Sequence, residues 1–141
     1  ITHINRTVLA IREIRAGILD RAKKSSDLAK RGENLNDKLY RLEDVLTAYT
    51  AIYRMEYHAK ATKLDDKLYN LAGHALRGDA RPTKAQMELF EEHKATYNKV
   101  RDGVRRFLDK DLAVFNAAAK SAGLKPVAIP AHFGPGFNFP R

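Results

Sequence analysis

Leu35-Asn36-Asp37-Lys38-Leu39-Tyr40-Arg41-Leu42-Glu43-Asp44-Val45-Leu46-Thr47-Ala48-Tyr49-Thr50-Ala51-Ile52-Tyr53 is the stretch that decides the fold. Leu35, Leu39, Leu42, Leu46, Tyr49 and Tyr53 alternate between spacings of four and three. That is the a/d seam of a helix that packs on other helices, sustained over almost three heptads. Val45, Ile52 and Met55 widen the stripe. Glu33, Asp37, Glu43 and Asp44 load the early turns with acid, which suits the positive end of the helix dipole. They are also placed to pair with a basic antiparallel neighbour, at about 0–1 kcal/mol for each surface pair.

Such a neighbour precedes it. From Thr2 to Arg31, Ile4, Val8, Ile11, Ile18 and Ala22 form a helical stripe, broadened by Ile14 and Leu19. Lys23 to Asp27 reads as a place where this helix frays or bends. Lys30-Arg31-Gly32 reads as its end, cations followed by a glycine cap. A third, shorter helix is predicted over Thr62–Leu76, with Leu64, Leu68, Leu71 and Ala75 as its seam. Gly78 and Pro82 then break the chain. Thr83-Lys84-Ala85-Gln86 has the spacing of a capping box. The fourth helix it opens carries Phe90, Tyr97, Val100, Val104, Phe107, Leu108, Leu112, Phe115 and Ala119 on one stripe. Straight from Lys84 to Ala122, it would span about 58 Å. Gly103, in mid-helix, points to a close approach of another helix or to a kink.

The expectation is therefore an all-α, up-down four-helix bundle over residues 1–123 with a long fourth helix. An irregular tail over 124–141 follows, rich in Pro, Gly and Phe. Burying one Phe is worth roughly 1.5–3 kcal/mol. Phe133, Phe137 and Phe139 are thus expected to pack on the bundle or on a partner.

The whole chain has 141 residues, enough for a single core. It has no cysteine, which removes disulfides and thiolate chemistry. No apolar run approaches the roughly 20 residues of a membrane span. The N-terminal residues are too charged for a signal peptide, and the start at Ile1 suggests excision from a longer precursor. Net charge is +9, and residues 1–31 hold eight basic groups against three acidic.

Five histidines are scattered as His3, His58, His74, His93 and His132. None falls in the Glu-x-x-His or His-x-x-x-His spacing that facing helices use for a metal. Glu43-Asp44, Asp65-Asp66 and Glu91-Glu92 are sequence neighbours, which point in directions about 100° apart on a helix and do not face each other. There is no phosphate loop and no nucleophile elbow. The Arg-Gly-Asp triplet at 77–79 reads as a turn. Arg12/Arg15 and Arg105-Arg106 are interleaved with acid, against a specific nucleic-acid reader.

Several turn and core residues carry a resemblance. They are Lys63-Leu64 and Lys67-Leu68-Tyr69 with Leu71-Ala72, Gly78 to Gln86, Phe90-Glu91-Glu92, Leu108-Asp109 with Asp111-Leu112, Phe115-Asn116 and Ala122-Gly123-Leu124. With Asn5-Arg6 and Ile11 to Arg15, the pattern resembles the C-terminal helical region of bacterial sortilin-like proteins with BNR- and WD40-like β-propeller repeats, a group often described as glycosyl-hydrolase-like. The likeness covers residues 3–127; the basic charge and the tail after Ala128 depart from it. It implies an exported setting, periplasmic, surface or secreted, and a propeller preceding Ile1 that would hold any hydrolytic site. It transfers no functional residue.

The sequence thus predicts a non-catalytic accessory or assembly module of a larger exported protein, with no catalytic, cofactor or metal residues. Its partner is expected to be the propeller or another subunit, touched by Phe133, Phe137, Phe139, Arg12 and Arg15. The alternative is a binding module for an anionic polymer, glycan or nucleic acid, through the basic first helix.

Overall fold

The structure, a computed structural model, describes residues 2–47, 63–78 and 81–133. The described residues are helical with no strand. They form α1 (Thr2–Lys24), α2 (Ser26–Leu46), α3 (Leu64–Leu76), α4 (Lys84–Arg106), a π-helical segment (Phe107–Leu112) and α5 (Ala113–Ser121). The last three run on without a break, so the described residues build four rods, which fits a four-helix bundle. None of the described helices is long and apolar enough to cross a membrane.

The first boundary differs from the sequence expectation. The chain turns at Ser25, whose φ of −145° and ψ of 125° are extended, and not at Gly32. Gly32 is buried inside α2. A β-carbon there would lie 2.6 Å from that of Ala22. The glycine lets α1 and α2 close into a hairpin; it does not cap a helix. The hairpin is antiparallel, since Ala22 meets Gly32, Arg15 meets Asn36 and Arg12 meets Glu43. The upper seam residues of the second helix, Tyr49, Ile52, Tyr53 and Met55, lie outside the described residues.

The fourth rod runs antiparallel to α2. Gly103 lies against Leu42, with 2.9 Å from its β-carbon position to the nearer methyl, and Lys38 pairs with Asp111 at 2.7 Å. Close approach is therefore the reason for Gly103. The capping box forms as read: the Gln86 amide donates to Thr83 Oγ1 at 3.2 Å and the Thr83 amide to Gln86 Oε1 at 2.9 Å. At the far end Gly123 takes φ of +77°. The Leu124 amide reaches the Ala119 carbonyl and the Gly123 amide that of Lys120, the two bonds of a Schellman stop.

The core joins Ile4, Val8, Ile11, Ile14 and Ile18 of α1 to Leu28, Leu39 and Leu46 of α2. Tyr97, Val100, Val104, Phe107, Leu112, Phe115 and Ala119 of the fourth rod close it. Their spacing breaks step once, by five residues between Phe107 and Leu112. The π turn supplies that extra residue. It keeps Leu112 inward and leaves Asp111 outside, where it meets Lys38.

Candidate functional site

Glu43 lies on the seam between Leu39 and Leu46 and is buried, its side chain 1% exposed. Arg12 Nε donates to its Oε1 at 2.7 Å and Arg15 Nη1 to its Oε2 at 2.6 Å. Arg15 Nε also donates to Asn36 Oδ1, and its guanidinium stands 5.1 Å from the Tyr40 ring centre. Two of the nominated contact residues are thus turned onto their own bundle. Their guanidiniums hold α1 to α2 in a geometry stronger than a surface pair.

Phe133 is half-buried against the core, its ring edge-on to His132 at 5.1 Å between centres. Phe137 and Phe139 fall outside the described residues, as does His58. Among the described residues no three His, Asp or Glu side chains gather as metal ligands would.

The last described residues, 124–133, lie along α1 in the opposite sense. Arg21 donates to the carbonyls of Lys125 and Pro126 at 3.1 and 3.3 Å. Val127 is buried over Gly17, and Asn116 brackets its backbone with two hydrogen bonds of 2.8 and 3.2 Å. His132 then reaches Thr7. From Gly17 back to Thr7 the helix covers about 15 Å. The strap runs without regular structure to Pro130 and ends in a 3-10 turn, Ala131–Phe133, where the Phe133 amide donates to the Pro130 carbonyl at 2.9 Å.

Thr7 is a buried polar node. Its hydroxyl lies 2.8 Å from the His3 carbonyl, 3.0 Å from Tyr97 Oη and 2.9 Å from His132 Nε2. A hydroxyl has one proton to give. With all three bonds formed, Thr7 donates to the carbonyl, so Tyr97 and His132 each donate to Thr7. Burial pushes the Tyr97 phenol above its ordinary value, against the Arg101 charge. Burial pushes the His132 imidazole down, helped by the positive fields of His3 and Arg6.

At the other side α3 and the start of α4 project apolar surface. Tyr69 is 71% and Leu76 85% exposed, and Met87, Leu89 and Phe90 are exposed too. Leu68, Leu71, Ala72 and Ala75 face Pro82, Met87 and Phe90 across an open groove of about 600 Å3. Among the described residues, only Gln86 and Glu91 add polar side chains to its lining.

Sequence reasoning named neither Thr7 nor Glu43 as a key residue. The signal was their phase: each is a polar residue at three or four residues from apolar seam positions, Ile4 and Ile11 for Thr7, Leu39 and Leu46 for Glu43. No protein-family model, curated protein or solved structure matches the chain.

Proposed function

We propose that this chain is a non-catalytic helical assembly module that docks on a neighbouring domain or subunit through the α3–α4 groove. The groove carries the reading: an apolar trough between two helices takes an amphipathic helix, whose side chains at i, i+3, i+4 and i+7 fill it. Glu88, Glu91 and Glu92 follow its α4 wall in sequence. The occupant this chemistry favours is a partner helix with an apolar stripe and a basic flank. If the resemblance to the helical region of sortilin-like proteins holds, that helix would come from a segment or subunit beside the β-propeller of an exported parent. The up-down bundle with a long last helix and a Phe-rich tail is the scaffold that goes with it.

The anionic-polymer reading draws less support. Arg12 and Arg15 are bound to Glu43, and Arg21 to strap carbonyls. Two cations of the basic first helix are therefore committed to a buried acid, while Arg6, Lys23 and Lys24 stay exposed.

The test is a titration with a labelled synthetic Leu/Lys amphipathic helix. Binding on the order of micromolar is expected. The Leu71→Asp/Phe90→Asp variant should weaken it at least about tenfold, or 1.4 kcal/mol, and Val114→Asp, on an exposed site of α5, should not. Equal binding by all three proteins would reject the groove.

A further inference from the structure

We propose that the α3 face carrying Asp65, Tyr69, Gly73 and Arg77 docks on the same face of a second copy of this chain, antiparallel across a two-fold axis. This face is not the docking groove. Leu68, Leu71 and Ala75 line the groove, and Tyr69 stands about 100° further round the helix than Leu68.

The order of residues along the face is what points to a second copy. Asp65, Tyr69, Gly73 and Arg77 are spaced by four, so they form one ridge of the helix surface. Reversed, the ridge is its own complement. In one antiparallel register Asp65 comes level with Arg77 of the second copy, and Tyr69 with its Gly73. Acid meets base and an aromatic ring meets a residue with no side chain. The two-fold axis makes each pairing occur twice. Ridges of this spacing run side by side when two helices cross at about 50°, so the pairs at both ends stay within reach. A parallel arrangement would instead set acid on acid and base on base.

The face is open to such a partner. Leu76 and Tyr69 are the most exposed large apolar side chains among the described residues. A β-carbon at Gly73 would meet nothing within 4 Å, so the space over it can take the ring of a second Tyr69. Ala72 and Leu76, both exposed, flank that space on the neighbouring ridge. Arg77 is exposed and Asp65 half-buried, its Oδ1 accepting the Asp66 amide at 2.8 Å. Among the described residues neither Asp65 nor Arg77 forms an ion pair within the chain. General attraction between copies is not the cause, because a net charge of +9 drives them apart.

Area sets the strength. α3 has 13 residues, which makes it about 20 Å long. Two such faces bury less than the roughly 1,200 Å2 of a stable interface. The dimer is therefore weak, with a Kd on the order of 0.1 mM.

Sedimentation equilibrium of the whole chain from about 0.01 to 1 mM is the test. Reversible dimers are expected in the upper part of that range. Asp65→Arg makes both end pairs repulsive, and so does Arg77→Asp. Each is expected to weaken self-association at least about tenfold. Arg77→Asp also lowers the net charge, so general repulsion cannot explain its effect. In an equimolar mixture the two variants complement each other at both ends, and association should return to the parent level. That recovery also shows that both variants are folded. A parent chain that stays monomeric to the top of the range overturns the proposal. Association untouched by either reversal, or a mixture no stronger than its components, overturns it too. The groove variant Leu71→Asp/Phe90→Asp should dimerise like the parent. If it loses the dimer while the charge reversals keep it, the groove and not this face joins the copies, and the proposal falls.

Discussion

Three glycines in this bundle differ only in what a methyl group would strike, and the difference sets the sign of each substitution. At Gly73 of α3 nothing lies within 4 Å. Gly73→Ala is expected to stabilise by about 0.5–1 kcal/mol, the helix preference of alanine. At Gly103 the obstacle is a Leu42 methyl at 2.9 Å, the far end of a side chain able to turn. Gly103→Ala should fall near neutral. At Gly32 the obstacle is the Ala22 β-carbon at 2.6 Å, which moves only with its helix. Overpacking costs about 1–3 kcal/mol and outweighs the gain in propensity, so Gly32→Ala destabilises. Urea denaturation of the three variants checks the order; a stabilised Gly32→Ala protein would remove the close hairpin. Glu43 is the other decisive residue. Removing one partner from a buried charge cluster costs about 3–5 kcal/mol when all members are buried. Here the arginine side chains are 32% and 20% exposed, so Glu43→Ala should cost about 2–3 kcal/mol. The same denaturation series measures it.

Elements explain both what the sequence made legible and what it hid. Periodicity marks where apolar side chains recur, and the capping box marks a local donor–acceptor exchange. Both are short-range, and α3 and the start of α4 were therefore readable from Leu64, Leu68 and Thr83-x-x-Gln86. Thr83→Ala should cost about 1 kcal/mol. Its effect should show as faster exchange of the first α4 amides, with the α1–α2 hairpin unchanged. The turn at Ser25 falls inside the Lys23–Asp27 stretch that reads as a bend, but composition places the helix end at Gly32, a better cap whose real role depends on Ala22 across the hairpin. The π turn was hidden because Leu108 sits four residues before Leu112 and imitates an uninterrupted helix. Burial shows the true step, Phe107 to Leu112. Deleting Lys110, exposed within the π segment, would return that turn to ordinary helical spacing and keep Phe115 and Ala119 inward. It should change stability by less than about 1 kcal/mol. Deleting Lys99 in the regular α4 has no extra residue to absorb it and rotates the following core positions by about 100°. A loss above about 4 kcal/mol is expected. Thermal unfolding of the two deletions decides whether the π turn is a spare residue or a structural need. The candidate groove was only half legible: its residues were named as seam positions, but periodicity does not say which seam is left open among the described residues.

At the scale of the molecule, the Thr7 node ties α1, α4 and the strap at one place, and one of its protons sets an alkaline limit on stability. That proton belongs to Tyr97, whose phenol is held above its ordinary value of 10.0 by burial. In the range just above pH 10 the unfolded chain has lost this proton while the folded chain keeps it. Folding then binds a proton, so stability falls as pH rises from about 10 through the raised value of the folded state. The net charge of +9 at pH 7 also falls in that range as lysines deprotonate. Self-repulsion therefore relaxes and acts in the opposite direction. The two effects are separated by Tyr97→Phe, which keeps the ring in the core and removes only the hydroxyl. At pH 7 this variant should lose about 1 kcal/mol, the hydrogen bond to Thr7. Above pH 10 the gap between the two proteins should narrow, because only the parent chain must keep a buried phenol protonated. Denaturation midpoints for both proteins from pH 7 to 11 provide the measurement. A gap that stays constant would show that the Tyr97 hydroxyl is already exposed to solvent in the folded chain and does not hold the node together.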